Sequence, residues 1–192
     1  MIITISGPAG SGKGTIGRII ARRLGFKTYS GGDFRRIRAK ELGMTIEEYN
    51  KYGENDPKTD IEADEWQKNL GLKEDNFIID SRLGFHFIPH SVKIFITASD
   101  EVAAHRIFND KGPRINQLKV GSIEEQKRLS VERNESDKLR YRKHYGLNDF
   151  TAKENFDLII DTTHEHDAEK NAQKIIDYLL EKKLITNSQL NS

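Results

Sequence analysis

The sequence predicts an α/β fold, with a five-stranded parallel sheet covered by helices on both faces. Three observations predict it. The amino terminus passes from a short β-branched run through a glycine-rich loop straight into an amphipathic helix. Four further short apolar runs follow, separated by helical patterns long enough for parallel crossovers. Several intervening helices announce their own starts with capping residues.

Ile2, Ile3 and Ile5 form an apolar, β-branched run, as expected of a strand buried on both faces. Gly7, Gly10 and Gly12 come next, then Lys13, and from Ile16 the apolar positions Ile16, Ile19, Ile20 and Leu24 fall on one helical face. Strand, glycine loop, helix is the context a phosphate-binding loop requires. The glycines let backbone N–H groups curl around an anion, and the helix start aims its donors and positive dipole end at the same place. Lys13 adds a mobile charge able to follow a transferring phosphoryl group. Gly14 stands where Ser or Thr ordinarily meets Mg²⁺, and Thr15 follows one place later. A plain glycine turn is the rival reading; the agreement of strand, helix, lysine and spacing disfavours it.

Residues 26–29 read as a second strand. In Ser30-Gly31-Gly32-Asp33-Phe34-Arg35-Arg36 the glycines predict a sharp turn, with Asp33 capping the helix behind it. Arg35 and Arg36 in that first turn oppose the helix dipole, unless one faces an anion or both are solvated. Thr45-Ile46-Glu47-Glu48 is a capping-box pattern, and Asp56-Pro57 is a second helix start. The helix over 57–70 places Asp60 and Asp64 on one face, where they repel unless a cation, a hydroxyl, a nucleoside edge or solvent relieves them. Residues 30–70 hold no strand and read as a helical insertion.

Residues 77–80 form the third strand, with Asp80, Ser81 and Arg82 at its carboxyl end, where ligands of open α/β sheets lie. Asp80 there can orient Mg²⁺-bound water, and Arg82 can hold a phosphate or a loop ion pair. Residues 92–97 are the fourth strand. Asp100 starts a helix carrying Arg106, expected to run to residue 111 and to break over Asp110–Arg114. Ser122-Ile123-Glu124-Glu125 is another capping box, and the long helix after it holds Arg133, Asp137 and Arg140 on one face. Those three either pair on a wet surface or face a ligand. Residues 156–161 are the fifth strand, and a helix over 165–183 closes the domain through Ala168, Ala172, Ile175, Ile176 and Leu179. His164 and His166 read as surface residues, too few for a metal site.

A chain of 192 residues with 35% hydrophobic and 32% charged residues fits one domain. Its net charge of +1 gives no global field to recruit nucleic acid or a membrane. With no cysteine there is no disulfide or thiolate metal site, which accords with a cytoplasmic protein. No signal peptide or transmembrane run is expected. The polar stretch 186–192 reads as a flexible tail.

Gly7-Pro8-Ala9-Gly10-Ser11-Gly12-Lys13-Gly14-Thr15 resembles the P-loop of the nucleoside monophosphate kinases, where Gly-Thr replaces the usual Ser or Thr. The resemblance is closest to the archaeal-type (type 2) cytidylate kinases, through Asp56-Pro57-x-x-Asp60-x-x-x-Asp64, Asp80-Ser81-Arg82-Leu83 and residues 133–141. It implies a P-loop NTPase fold with three α/β/α layers. The core would be 1–29, 72–111 and 146–185, with an acceptor-binding insert over 30–71 and a lid over 112–145. It implies ATP held by residues 7–15 with Arg106 over the adenine, although Asp110 stands where a second arginine often follows and Arg114 would substitute. The acceptor CMP would meet Gly32, Arg36, Asp60, Arg82 and Asp137. Lys13, Arg133 and Arg140 would stabilise the transferring group, and Mg²⁺ would be held through water and the nucleotides, near Thr15 or Asp80. The implied enzyme is a monomer acting on small nucleotides, CMP and dCMP among them, with two inserts closing over the substrates. The rivals are a kinase for another acceptor, such as AMP or UMP, and a nucleotide-dependent switch or ATPase working through protein partners.

Overall fold

In the computed structural model, which describes residues 1–110 and 120–190, five strands form one sheet. They are β1 (Ile2–Ser6), β2 (Lys27–Ser30), β3 (Phe77–Asp80), β4 (Val92–Thr97) and β5 (Leu158–Asp161). Their order is β2-β3-β1-β4-β5, and every pairing is parallel. The predicted fold class is the observed one. Each residue of β1 is buried, with Ile3 set against Ile78 on one side and Val92 on the other, which is why its sequence is an unbroken apolar run. From β1 the chain turns first toward β2 and β3, then crosses to β4 and β5. The carboxyl end of β1 is therefore the switch point at which a ligand crevice opens.

Helices α1 (Lys13–Leu24), α2 (Gly31–Glu41), α3 (Ile46–Asn55), α4 (Lys58–Lys73), α5 (Gly84–Phe87), α6 (Asp100–Phe108), α7 (Ile123–Tyr145) and α8 (Ala168–Glu181) complete the layers. On one face Ile3, Ile5, Ile78, Ile94 and Ile96 pack with Ile16 and Ile20 of α1 and Ile175, Ile176 and Leu179 of α8. On the other, Ile2, Phe77 and Ile79 meet Leu70 of α4 and Ile88. A third cluster, Leu83, Phe85, Phe87, Tyr141 and Phe150, seats α7 over the end of β3.

Local chemistry places the boundaries. Thr45 forms the expected reciprocal capping box with Glu48. Asp56 Oδ1 accepts the Lys58 N–H at 3.0 Å, and Pro57 already has a helical φ of −66°. Ser122 accepts the Glu125 N–H at 3.1 Å, but the Glu125 carboxylate reaches past it to the N–H of Gly121.

Other boundaries differ from the sequence reading. Gly31 and Gly32 are not in a turn: α2 begins at Gly31, and its cap is Ser30, whose Oγ accepts the Asp33 N–H at 3.2 Å. Gly31 is needed for close packing, because a Cβ there would stand 3.0 Å from Ser81 Oγ. The cap of α6 is Ser99 rather than Asp100, and that helix ends at Phe108. Asn109 donates both its backbone N–H, at 3.1 Å, and its side-chain amide, at 2.9 Å, to the His105 carbonyl. Helix α8 starts at Ala168, where the Asp167 carboxylate accepts the N–H groups of Glu169 and Lys170. Strand β2 lies one residue later than expected, β5 starts two residues later, and the four-residue α5 is additional. Past the core, residues 187–189 form a 3₁₀ turn, and Leu190 packs against the apolar cluster where a free tail was expected. No helix among the described residues is long and apolar enough to cross a membrane.

Candidate active site

The glycine loop leaves β1 at the switch point, with Gly7, Gly10 and Gly12 all at positive φ. Ile16 is the first residue to bond back into α1, to the Gly12 carbonyl at 3.0 Å, so the N–H groups of Gly14 and Thr15 precede the helical ladder. Lys13 Nζ donates to the Pro8 carbonyl at 3.1 Å across the loop. Ser11 Oγ is buried and has no partner among the described residues. Residues 9–15 line a cavity of about 860 Å³, near the upper end of the range for small-molecule sites. Gly7 and Pro8 do not line it.

Asp80 enters this cavity from the end of β3. A Cβ on Gly14 would lie 2.7 Å from its Oδ2. The carboxylate thus fills the space in which a P-loop Ser or Thr would stand, and Gly14 is what admits it. Burial raises the Asp80 pKa, opposed by Lys13 and by a hydrogen bond from Ser30.

The helical insert supplies the far wall. Arg36, on the first turn of α2, pairs with the exposed Asp33 at 2.5 Å. Its neighbour Arg35 turns inward instead, to Asp60 at 2.6 Å and to Asn50 Oδ1. Gly32, Asp60 and Arg82 face the same cavity. Asp60 and Asp64 share a face of α4 as expected, and both are relieved from inside the protein. Asp60 accepts from Arg35 and, at 2.6 and 2.8 Å, from Arg140, while Asp64 Oδ2 accepts the Tyr145 hydroxyl. Burial first of all pushes the Asp64 carboxyl up to about 6, against the pull of that hydrogen bond.

Helix α7 brings Arg133, Asp137 and Arg140 to the cavity on one face. Asp137, 2% exposed, pairs with both Arg82 and Arg140. Burial pushes this carboxyl up, but Arg82, Arg140 and Arg133 outweigh it and hold its pKa below the usual range. Arg35, Asp60, Arg140, Asp137 and Arg82 therefore form one chain of alternating charges joining the insert, the end of β3 and α7. Arg133 stands beside it. Its Nε has no hydrogen-bond partner among the described residues, and burial together with Arg82 brings its pKa down to about 10. A cation at this position is short of negative charge.

Arg106 reaches from α6 to the edge of the cavity. It donates to the hydroxyl and the carbonyl of Thr162 at 2.8 Å each, and its Nη2 lies 3.1 Å from His166 Nδ1. His166 is exposed, as expected, but touches the site through this contact. Arg114 lies outside the described residues. The structure thus brings Lys13, Arg36, Arg82, Arg106, Arg133, Arg140, Asp60 and Asp137 to one cavity. Sequence reasoning missed the inward role of Arg35, and it missed Asn50, Gln67 and Tyr145. The one signal for the first and last was the unrelieved pair of carboxylates on α4.

Residues 2–164 match the cytidylate kinase-like family. The chain belongs to that family. A cytidylate kinase from Archaeoglobus fulgidus is 38% identical over 164 residues, covering 84% of this chain and 86% of that one. One from Methanococcoides burtonii is 34% identical over 163 residues, covering 85% and 88%. A shikimate kinase structure from Bacteroides thetaiotaomicron superposes with a TM-score of 0.67 over 93% of this chain and 98% of that one. At 16% identity that likeness concerns the fold alone, which is that of the P-loop kinases. This member of the cytidylate kinase-like family carries its loop, its insert and its arginine-bearing helix around a single cavity.

Proposed function

We propose that the chain transfers the γ-phosphoryl group of ATP to CMP, and to dCMP, giving ADP and CDP or dCDP. The carrying observation is that the phosphate-binding loop and the arginines of α2, the β3 end and α7 line one cavity. Residues 9–15 bind the donor phosphates, supported from outside by Gly7 and Pro8, and Arg106 borders the donor base. Gly32, Arg36 and Arg82 hold the acceptor phosphate. Lys13 and Arg133 face the transferring group. Arg140, with Nη1 and Nη2 engaged by Asp60 and Asp137, stabilises that charge by fixing the frame in which Arg133 and Arg82 stand. The acceptor phosphate is already a nucleophile at neutral pH, so positioning and charge neutralisation suffice without a strong general base.

Among the described residues no three His, Cys, Asp or Glu come together as a metal cage. Asp80, admitted by Gly14, and Thr15 nevertheless present oxygens suited to Mg²⁺ that keeps water and nucleotide phosphates as its other ligands. When bound, Mg²⁺ supplies charge neutralisation of the phosphate oxygens. We take the whole of 1–185 as one kinase domain, with the acceptor insert over 30–71 and the lid over 112–145, and expect it to work as a cytoplasmic monomer. The near-neutral charge of the chain supports free nucleotides rather than nucleic acid as its ligands.

An ADP-release assay with CMP, dCMP, UMP and AMP in parallel tests the reading. CMP and dCMP should give the highest kcat/KM. ADP release indifferent to every monophosphate would make the chain an ATPase. Arg36→Ala should raise the KM for CMP about 10- to 100-fold with kcat little changed, because one charge-assisted bond to a phosphate is lost. An unmoved KM removes Arg36 from the acceptor site. Gly14→Ala should lower kcat about 10- to 100-fold by driving Asp80 aside. A kcat within twofold of wild type, with the fold intact by circular dichroism, rules Asp80 out.

A further inference from the structure

Two residues of the cavity wall have no part in the chemistry above. Gln67 is 4% exposed and lines the cavity, and its Nε2 donates to the Ala63 carbonyl at 3.2 Å. Its Oε1 is buried without a partner among the described residues. A buried carbonyl oxygen left so is costly unless a ligand satisfies it. Asp64, one turn earlier on the same face of α4, accepts the Tyr145 hydroxyl at Oδ2, and among the described residues its Oδ1 accepts no hydrogen bond. Both residues lie beyond Asp60 on the insert, in the same cavity as the arginines proposed to hold the acceptor phosphate.

We infer that Asp64 and Gln67 form the base-reading corner of the acceptor site, selecting an exocyclic amino group. The inference rests on the acceptor being a pyrimidine monophosphate, as proposed above. Two acceptor side chains three residues apart on α4, both lining the cavity, suit the two N–H donors of the cytosine N4 amino group. They face the O4 oxygen of uracil with acceptor against acceptor, leaving three oxygens unpaired. Selection of this kind works through what the wrong base leaves unsatisfied. Tyr145 fixes the polarity, because its hydroxyl donates to Asp64 and so keeps an acceptor turned the other way. In Asp64→Asn the same hydroxyl would hold the amide oxygen, which turns the amide N–H groups toward the base and inverts the preference.

The test is kcat/KM with saturating ATP for CMP and for UMP, in the wild type, Asp64→Asn and Gln67→Met, with thermal melting of each. Asp64→Asn should lose CMP activity about 10- to 100-fold and gain UMP activity, and Gln67→Met should lower the CMP:UMP ratio about tenfold. A merely structural role would lower both substrates together and leave the ratio alone. A ratio within threefold of wild type in whichever variant folds overturns the pair. A wild-type protein that releases no ADP with CMP overturns the acceptor reading and the pair with it. A wild type active on CMP with unmoved ratios in the variants overturns the pair alone.

Discussion

Lys13→Ala is expected to lower kcat about 10³-fold while the melting temperature changes by only a few degrees. The lysine side chain belongs to the loop, not to the core: it donates to the Pro8 carbonyl at 3.1 Å, and none of the apolar clusters among the described residues uses it. Deleting it therefore costs the fold little. Its value lies in the transition state, where negative charge spreads over the equatorial oxygens of the moving phosphoryl group and a cation beside them offsets it. A cation that interacts more strongly there than with bound ATP affects kcat rather than KM. The KM for CMP should accordingly stay within a few-fold of wild type, since Arg36 and Arg82 are the residues proposed to hold that substrate. Lys13→Arg separates charge from geometry, because a planar guanidinium cannot follow the path of an ammonium group from a loop this tight. It should recover little of the loss. Turnover within tenfold of wild type in Lys13→Ala would remove the lysine from the mechanism.

The contrast between what the sequence could and could not announce has a simple physical root. Strands β1, β3 and β4 are buried on both faces, so burial alone dictates their β-branched runs and they can be read directly. Caps at Thr45, Asp56 and Ser122 are local chemistry and equally legible. Gly31 is not, because a glycine required by a neighbour's side chain is written with the same letter as one required by a turn. Helix α5 is too short for any periodicity to show. In the site, the P-loop and the α7 arginines are read from spacing, whereas Arg35 and Arg36 are adjacent and point about 100° apart around the helix. Only Asp60, 25 residues onward, decides which of them turns inward. The repulsion between Asp60 and Asp64 showed that a partner was needed. Arg140 and Tyr145, 80 and 81 residues away, came from the tertiary fold.

Asp137→Asn should show what that charged frame does for stability. The cluster holds Arg35, Arg82 and Arg140 against Asp60 and Asp137, with Arg133 alongside, and its members are largely out of water. The asparagine keeps the shape but leaves four arginines facing one carboxylate. Breaking a buried pair from one side costs about 3–5 kcal/mol, because the remaining charge has lost both water and partner. For a chain of this size that corresponds to a fall of about 6–20 °C in melting temperature. The pH dependence has a definite sign. The folded-state pKa of Asp137 lies below its ordinary value, so its stabilisation is complete above the unfolded carboxylate range and is lost as pH falls through the folded pKa. Wild type and variant should therefore differ by a constant amount from neutral pH down to about 5 and converge in stronger acid. Adding Arg140→Met to Asp137→Asn removes one of the stranded cations, so the double variant should be less unstable than the sum of the singles. The same surplus of positive charge implies that ATP raises the melting temperature of Asp137→Asn by more than that of the wild type. A loss below about 1 kcal/mol, or strict additivity in the double variant, would mean that these charges are solvated rather than mutually buried, and that Arg133 is not held by them.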